Sequence, residues 1–188
     1  TTFTRSTRRR TAATGTGPPV LLWADSFSDG LQPEPAQATA DVLTAAGYDV
    51  RYPPLRPCCG LTWISTGQLD TARRRLTELV AVLPPYAAAG IPVVGVEPSC
   101  TAVLRSDLTA LLPDADAATV AGAVTTLAEL LSRTPGWDRP DLTGTTVVAQ
   151  PHCHHHAVMG WSADRAILAT GGAVVHEVAG CCGLAGDL

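Results

Sequence analysis

Hydrophobic residues occur along the chain in two alternating patterns, short continuous apolar runs and longer segments in which apolar positions recur every three or four residues. The run VLLWAD at 20–25 is typical of a buried strand. The segment PEPAQATADVLTAAG at 33–47 is typical of a helix with proline near its start and glycine at its end. A second strand is predicted at 48–53, and a long amphipathic helix at 67–90. Connections of this length favour parallel strands joined by crossover helices.

The alternation continues to the end of the chain and predicts an α/β fold with mostly parallel sheets. The remaining predicted elements are strand 91–100, a helix to about Leu112, helix 117–133, strand 145–150, helix 157–170 and strand 173–178.

The two halves of the chain repeat one order of elements, which is strand, polar turn, helix, strand and a Cys-Cys-Gly triplet. In the first half 31 residues lie between Ser26 and Cys58, and in the second half 27 lie between Cys153 and Cys181. We therefore predict two pseudo-symmetric strand–helix–strand repeats. The cysteines follow the carboxyl ends of predicted strands, which is where open α/β sheets place their ligands.

Changes in composition divide the chain into four segments. Residues 1–17 are rich in Thr, Arg and Gly and predict a disordered linker. The first repeat with its following helices occupies 18–134, a loop rich in Pro and Gly occupies 135–144, and the second repeat occupies 145–188. Because the chain starts without methionine and stops just after the second triplet, we expect it to be a segment of a longer polypeptide.

The charge and hydropathy of the chain bear on whether it binds nucleic acid, spans a membrane or is secreted. The formal net charge of −4 gives no electrostatic basis for binding nucleic acid. No apolar run reaches the roughly 18 residues of a membrane span, and no signal peptide precedes the first strand. We therefore expect a cytoplasmic protein, with attachment to the inner face of the membrane as the alternative.

Four of the six cysteines stand in adjacent pairs, and three interpretations of them remain open. Disulfides are disfavoured because adjacent cysteines close a strained ring and no secretory signal is visible. Buried structural thiols would not explain two identical triplets. A metal site explains them best, and an iron–sulfur cluster is favoured over zinc because the chain lacks a Cys-x-x-Cys knuckle.

The candidate ligands combine these thiols with nearby nitrogen and oxygen donors. His154 is a further candidate because neutral imidazole binds iron and zinc, although histidines in such a turn can also face water. Glu97 and Ser26 are candidate oxygen ligands, and Glu97 has the alternative role of capping the next helix. The six thiol candidates are Cys58, Cys59, Cys100, Cys153, Cys181 and Cys182.

Four motifs carry a resemblance to a known family, and they are CCGLTWISTGQLDTARR at 58–74, VVGVEPSC at 93–100, HCHHHAVMG at 152–160 and GCCGLAG at 180–186. In this order they resemble the cysteine-rich CCG domain of the heterodisulfide reductase B-subunit type. That domain also occurs in iron–sulfur subunits of glycolate oxidase and anaerobic glycerol-3-phosphate dehydrogenase. It occurs as well in the C-terminal part of FAD-linked D-lactate and 2-hydroxyacid dehydrogenases.

The family motif, one Cys, then Cys-Cys-Gly, then Cys-x-x-Cys, holds a non-cubane iron–sulfur cluster in the best-equipped members. This chain departs from it, because Ser26 replaces the first Cys and the stretch from Glu97 to Cys100 keeps only the last one. In the second repeat Cys153, Cys181 and Cys182 match, while the final Cys-x-x-Cys would lie beyond the last residue.

The resemblance implies a function as well as a ligand set. It implies an iron–sulfur domain that takes electrons from a flavin oxidising a 2-hydroxy acid such as lactate or glycolate. The implied partners are FAD-binding and ferredoxin-like domains, with a membrane-associated electron acceptor as a further candidate, and no activity is expected of the chain alone. The alternatives are a cluster-free docking or structural module of the same enzyme and a zinc or thiol module.

Overall fold

A computed structural model describes residues 2–3 and 16–180 of the chain. Its strands form one sheet of four and one sheet of two, and every strand pair in the described residues is parallel. The prediction of an α/β fold with mostly parallel sheets is therefore confirmed. The four-stranded sheet has the order β2-β1-β3-β4, with β1 at Pro19–Trp23, β2 at Asp49–Arg51, β3 at Val93–Gly95 and β4 at Val124–Thr125. The second sheet pairs β5 at Thr146–Ala149 with β6 at Val174–Glu177.

The helices within the described residues lie between and around these strands. They are α1 Ser26–Gly30, α2 Glu34–Ala45, α3 Leu61–Ser65, α4 Leu69–Val80, α5 Pro84–Ala88, α6 Pro98–Ala102, α7 Leu108–Leu111, α8 Ala115–Ala123, α9 Leu127–Ser132 and α10 Ser162–Thr170, with π-helical segments at Val103–Asp107 and His155–Met159.

Each half contains a strand–helix–strand unit whose two strands pair side by side. Pro19 lies opposite Asp49 in the first unit, and Thr146 lies opposite Val174 in the second. The first half extends further, because β3 pairs with the other side of β1 and β4 pairs with β3. In the part of the chain that the structure describes, the second sheet has two strands only.

The core lies on both faces of the four-stranded sheet, and β1 contributes to both. Leu21 and Trp23 pack on one face with the apolar sides of α4 and the helix that follows β3. Val20 and Leu22 pack on the other face with α2. All four side chains are fully buried, and burial of each contributes about 1.5–3 kcal/mol. A strand buried on both faces explains the continuous apolar run at the start of the fold.

Two segments that were each predicted as one continuous helix are divided in the structure, so these two predictions are wrong. The helix predicted at 67–90 is broken between α4 and α5, because Pro84 and Pro85 cannot extend a helix that precedes them. The helix predicted at 117–133 is divided into α8, β4 and α9. There the β-branched Val124 and Thr125 pair with β3, and Thr126 then begins α9 through a capping box with Glu129.

Three further predicted elements are shorter in the structure. Strand 91–100 is reduced to β3, and Cys100 lies in α6, where Pro98 stands in the first turn. The strand predicted at 48–53 ends at Arg51, ahead of Pro53. The helix predicted at 157–170 is interrupted at Gly160, which has a φ of 78°.

Most of the predicted linker lies outside the described residues. Within it, Phe3 is buried and its ring packs edge to face on Tyr52, with a centroid separation of 5.6 Å. The domain boundaries therefore stay predictions. No helix in the described residues is both long enough and apolar enough to cross a membrane.

Candidate metal centre

The order of the first sheet creates a crevice at the carboxyl ends of its central strands. The chain passes from β1 to β2 on one side and later places β3 on the other side of β1, so the connections leave these two strands in opposite directions. Asp25 and Ser26 follow β1, and the segment from Glu97 to Cys100 follows β3. Cys58 and Cys59 come after β2, so the topology brings three of the predicted thiols to one edge of the sheet.

The three thiols form one cluster, in which two are joined by a hydrogen bond. The Cys59 thiol donates to Cys100 Sγ across 3.1 Å, although the two residues are 41 positions apart. Both side chains are buried, with 1% and 2% of their surface exposed. Cys58 is partly exposed and precedes Cys59 directly in the chain. One end of the cluster is therefore open to solvent and the other is closed.

The pKa of each of the three thiols is raised. The pKa of Cys58 is raised by the neighbouring Cys59 thiol and by burial, and that of Cys59 is raised by its hydrogen bond to Cys100 and by burial. The hydrogen bond from Cys59 lowers the pKa of Cys100, but burial and the negative charges of Asp25 and Glu97 outweigh it. A metal that binds these sulfurs must therefore displace their protons, which makes its affinity depend on pH.

The glycine of the first triplet has a specific conformational role. Gly60 has a φ of 82°, in the left-handed region, and it stands directly before α3. A Cβ atom at this position would lie 3.4 Å from the carbonyl oxygen of Ala72. The turn also directs the backbone amides of Gly60 and Leu61 to the sulfurs of Cys58 and Cys59, respectively. Amide donors of this kind stabilise thiolates bound to a metal.

The carboxylates beside the thiols act as helix caps. Glu97 Oε2 accepts the amide of Cys100 at 2.6 Å, and Oε1 accepts the hydroxyl of Ser99 at 3.0 Å. Asp25 caps α1 by accepting the amides of Phe27 and Ser28. The capping alternative for Glu97 therefore describes its contacts, and its assignment as a metal ligand stays a prediction.

One hydrogen-bonded chain connects the first half to the histidine-rich turn of the second. Ser99 donates to Glu97 and lies 3.3 Å from His152 Nε2, so this imidazole nitrogen carries the proton and donates to Ser99. Its Nδ1 accepts the amide of His154 at 3.2 Å. Cys153 lies between these histidines in the sequence and is exposed. Cys181 and Cys182 lie outside the described residues.

The histidines of this turn differ in their surroundings. His154 Nδ1 is buried and has no hydrogen-bond partner within the described part of the chain, so it stays a candidate ligand. His155 is buried, its Nε2 lies 3.0 Å from Asp164 Oδ2, and its ring packs edge to face on Trp161. Sequence reasoning did not find the Ser99–His152 contact or the His155–Asp164 pair. Both depend on tertiary packing for which the sequence has no local signal.

A cleft of about 360 Å³ separates the two halves beside this turn. Its first-half wall includes Gly95, Pro98 and Thr126, which stand at the carboxyl ends of β3 and β4. Its second-half wall includes His155 and Trp161. The carboxyl ends of both sheets therefore face a common space.

The donor set suits a thiophilic metal, although the thiols have to separate before they can bind one. Among the described residues, no group of three or more His, Cys, Asp or Glu side chains is arranged to hold a metal ion. Two thiolates on one tetrahedral metal at ~2.3 Å lie roughly 3.8 Å apart, about 0.7 Å more than Cys59 and Cys100 do here. Small side-chain rotations supply such a distance, and the three sulfurs already share one edge of the sheet.

Comparisons with known proteins find a similarity in the segment that contains these three thiols. Residues 24–105 match the family model described as a cysteine-rich domain of the CCG type. The chain is 30% identical over 89 residues to one component of the anaerobic glycerol-3-phosphate dehydrogenase from Escherichia coli strain K12, and equally to its counterpart from Escherichia coli O157:H7. That alignment covers 47% of this chain and 22% of each relative, so the chain spans about a fifth of the length of these curated relatives. No solved structure matches the chain.

The match includes every part of the first sulfur cluster. It begins at Ala24, directly before Asp25 and Ser26, and it continues past Cys100. The residues that the family model covers are the ones that the fold gathers at the edge of the first sheet. Residues 24–105 therefore match a cysteine-rich domain of the CCG type.

Proposed function

We propose that this chain is an iron–sulfur module that passes electrons within an oxidoreductase. The observation that carries the proposal is the convergence of Cys58, Cys59 and Cys100 at the carboxyl edge of a parallel sheet, inside a CCG domain. An iron–sulfur cluster bound to these thiolates would take up and release single electrons at a potential set by its ligands and their surroundings.

The residues of the first half would hold the cluster in distinct ways. Cys59 and Cys100 supply sulfurs shielded from water, and Cys58 supplies a sulfur that reaches solvent. Ser26, which lowers the pKa of Cys58, is one candidate oxygen donor, and Glu97 is the alternative. The amides of Gly60 and Leu61 would stabilise the thiolate charge.

The second half would provide a second ligand set. Cys153 lies on the turn after β5 and is exposed, which leaves its sulfur accessible. We expect Cys181 and Cys182 to complete this set together with His154, whose Nδ1 has no hydrogen-bond partner in the described residues. The cleft between the halves would then separate two electron-carrying sites.

The proposed partners and substrate of the complex are drawn from the matched relatives and from the resemblance to CCG-domain proteins. The matched relatives are named as components of a dehydrogenase, which supports a place in a multi-component oxidoreductase. We propose FAD-binding and ferredoxin-like domains as partners and a 2-hydroxy acid of the lactate or glycolate type as the substrate of the complex. Flavin would take a hydride from that substrate outside this chain, which we do not expect to be active alone. A cytoplasmic location, with attachment to the inner face of the membrane, fits a membrane-associated electron acceptor.

A docking module is the second candidate function. The side chains of Val148 and Val174 on the second sheet are 68% and 55% exposed, which is unusual for apolar strand residues. A partner domain that covered them would bury one face of a sheet that has two strands in the described residues, which is too few for independent stability. A zinc module is distinguished from both candidates by its zinc content, and a thiol module by thiols that react at neutral pH.

The test is anaerobic reconstitution of the full chain with ferrous iron and sulfide, followed by its visible spectrum. An electron carrier gives a broad visible absorption that dithionite bleaches and air or a mild oxidant restores. A colourless protein that binds zinc supports the zinc module. A colourless protein without metal contradicts the electron-transfer role and leaves docking as the function to pursue.

A further inference from the structure

Cys59 and Cys100 have hydrogen-bonded sulfurs, although the two residues lie far apart in the sequence. Cys59 precedes α3 and Cys100 lies in α6, yet their Sγ atoms are only 3.1 Å apart. Both thiols are buried, so the surrounding core holds them in contact. A bond between them would need only a small further approach of two sulfurs already in contact.

The other described cysteines are poorer partners for these two. A lasting bond between Cys58 and Cys59 would close a strained ring between adjacent residues. Cys153 is exposed and makes no hydrogen bond to the buried sulfurs. Cys58 is the one member of the cluster that reaches solvent, and it is adjacent to Cys59 in the chain. It is therefore placed to meet an external oxidant and to pass the reaction inward.

We propose that Cys59 and Cys100 form a disulfide when the chain, free of any cluster, meets a small-molecule disulfide, and that Cys58 is the thiol through which this oxidant enters. The inference concerns the cysteines themselves and does not depend on the electron-transfer role. The two cysteines of the triplet then have different roles. Cys58 reacts first with the oxidant, and Cys59 ends in the lasting disulfide.

The reaction balances as three thiol–disulfide exchanges. Cys58 gives up its proton and attacks glutathione disulfide, which forms a Cys58–glutathione bond and releases one glutathione that takes the proton. Cys59 then attacks Cys58 Sγ, and its proton leaves with the second glutathione. Cys100 attacks Cys59 Sγ in the strained adjacent pair, and its proton returns to Cys58 as the thiol. Two protein thiols are oxidised, and one glutathione disulfide is reduced to two glutathione molecules.

Relief of ring strain gives the last exchange its direction. The bond between Cys58 and Cys59 is strained, whereas the bond between Cys59 and Cys100 joins residues from separate elements. Cys100 is also too deeply buried to meet glutathione disulfide directly. The structure therefore favours one final product over a stable mixed disulfide on Cys58.

The experiment treats the metal-free full chain with glutathione disulfide, quenches it with acid, alkylates the remaining thiols and maps the cross-linked peptides by fragmentation mass spectrometry. The expected product is a Cys59–Cys100 link with a free Cys58. In Cys58→Ser the same link forms about tenfold more slowly or worse, because a buried thiol must meet the oxidant directly. The control Ser65→Ala, at an exposed position of α3 outside both ligand sets, forms the link at the unchanged rate.

Three results would overturn the proposal. One is a main product in which Cys100 is linked to Cys181 or Cys182. Another is stable glutathione on Cys58 with no internal link in the unmodified sequence. The third is equal rates for Cys58→Ser and the parent chain, which would remove the entry role. The first two results are measured on the parent chain, so they test the proposal even if a variant folds poorly.

Discussion

Replacement of Gly60 by alanine tests whether the glycine of the triplet is there for its backbone conformation. Gly60 has a φ of 82°, and a side chain in the left-handed region costs about 1–2 kcal/mol. The added Cβ would meet the Ala72 carbonyl oxygen at 3.4 Å, which is ordinary contact and adds little. We therefore expect Gly60→Ala to lower the free energy of unfolding by about 1–2 kcal/mol, or the Tm by roughly 2–8 °C.

Gly122→Ala is the matched control for this substitution. Gly122 lies inside α8, and a Cβ there would have no atom within 4 Å. Alanine favours the helix, so the free energy of unfolding should rise by about 0.5–1 kcal/mol. The assay is urea unfolding followed by circular dichroism, with the reaction rate of buried thiols as a second readout. If Gly60→Ala is as stable as the parent chain, or if both variants change in the same direction, the conformational explanation of the triplet is wrong.

Three further substitutions probe other parts of the fold. Leu79→Ala removes a fully buried side chain and should cost about 2–5 kcal/mol in urea unfolding, and a loss below 1 kcal/mol would contradict the assigned core. Ser99→Ala removes the hydrogen bond to His152 and should cost about 0.5–1.5 kcal/mol, with faster amide exchange in the histidine-rich turn; unchanged exchange would argue against the link between the halves. Burial raises the pKa of Glu129, but its hydrogen bonds, chiefly from Arg105, outweigh this and leave the pKa below its usual value. The stability that this carboxylate contributes is therefore present above its unfolded pKa of about 4.5 and is lost as pH falls through its folded pKa. Glu129→Gln should be about 1–2 kcal/mol less stable than the parent chain at pH 7 and nearly equal to it near pH 3, and a difference that does not change with pH would refute this account.

The hydrophobic pattern of single segments was sufficient to predict the features of the fold that depend on one segment at a time. The continuous apolar run of β1 predicted a buried strand, and the long connections predicted parallel pairing. The position of Cys58, Cys59 and Cys100 after strand ends placed them correctly at one edge of the sheet. These predictions hold because strand burial and crossover length follow from residues close together in the sequence.

Features that depend on tertiary contacts could not be predicted from the pattern. Val124 and Thr125 stand in a run whose apolar spacing also suits a helix, and only pairing with β3 makes them a strand. The contact between Ser99 and His152 joins residues 53 positions apart. The pattern likewise left Glu97 with two roles, and its position beside the amide of Cys100 is what makes it a cap.

The central claim is that Cys58, Cys59 and Cys100 together bind an iron–sulfur cluster. The most direct measurement is iron and acid-labile sulfide per chain after anaerobic reconstitution, for the parent sequence and for Cys58→Ser, Cys59→Ser and Cys100→Ser, with Ser99→Ala as the matched control. The account predicts iron and sulfide in near-equal amounts in the parent and in Ser99→Ala, and the same partial loss in each cysteine variant. No bound iron in the parent chain, or full iron content in Cys100→Ser, would contradict it.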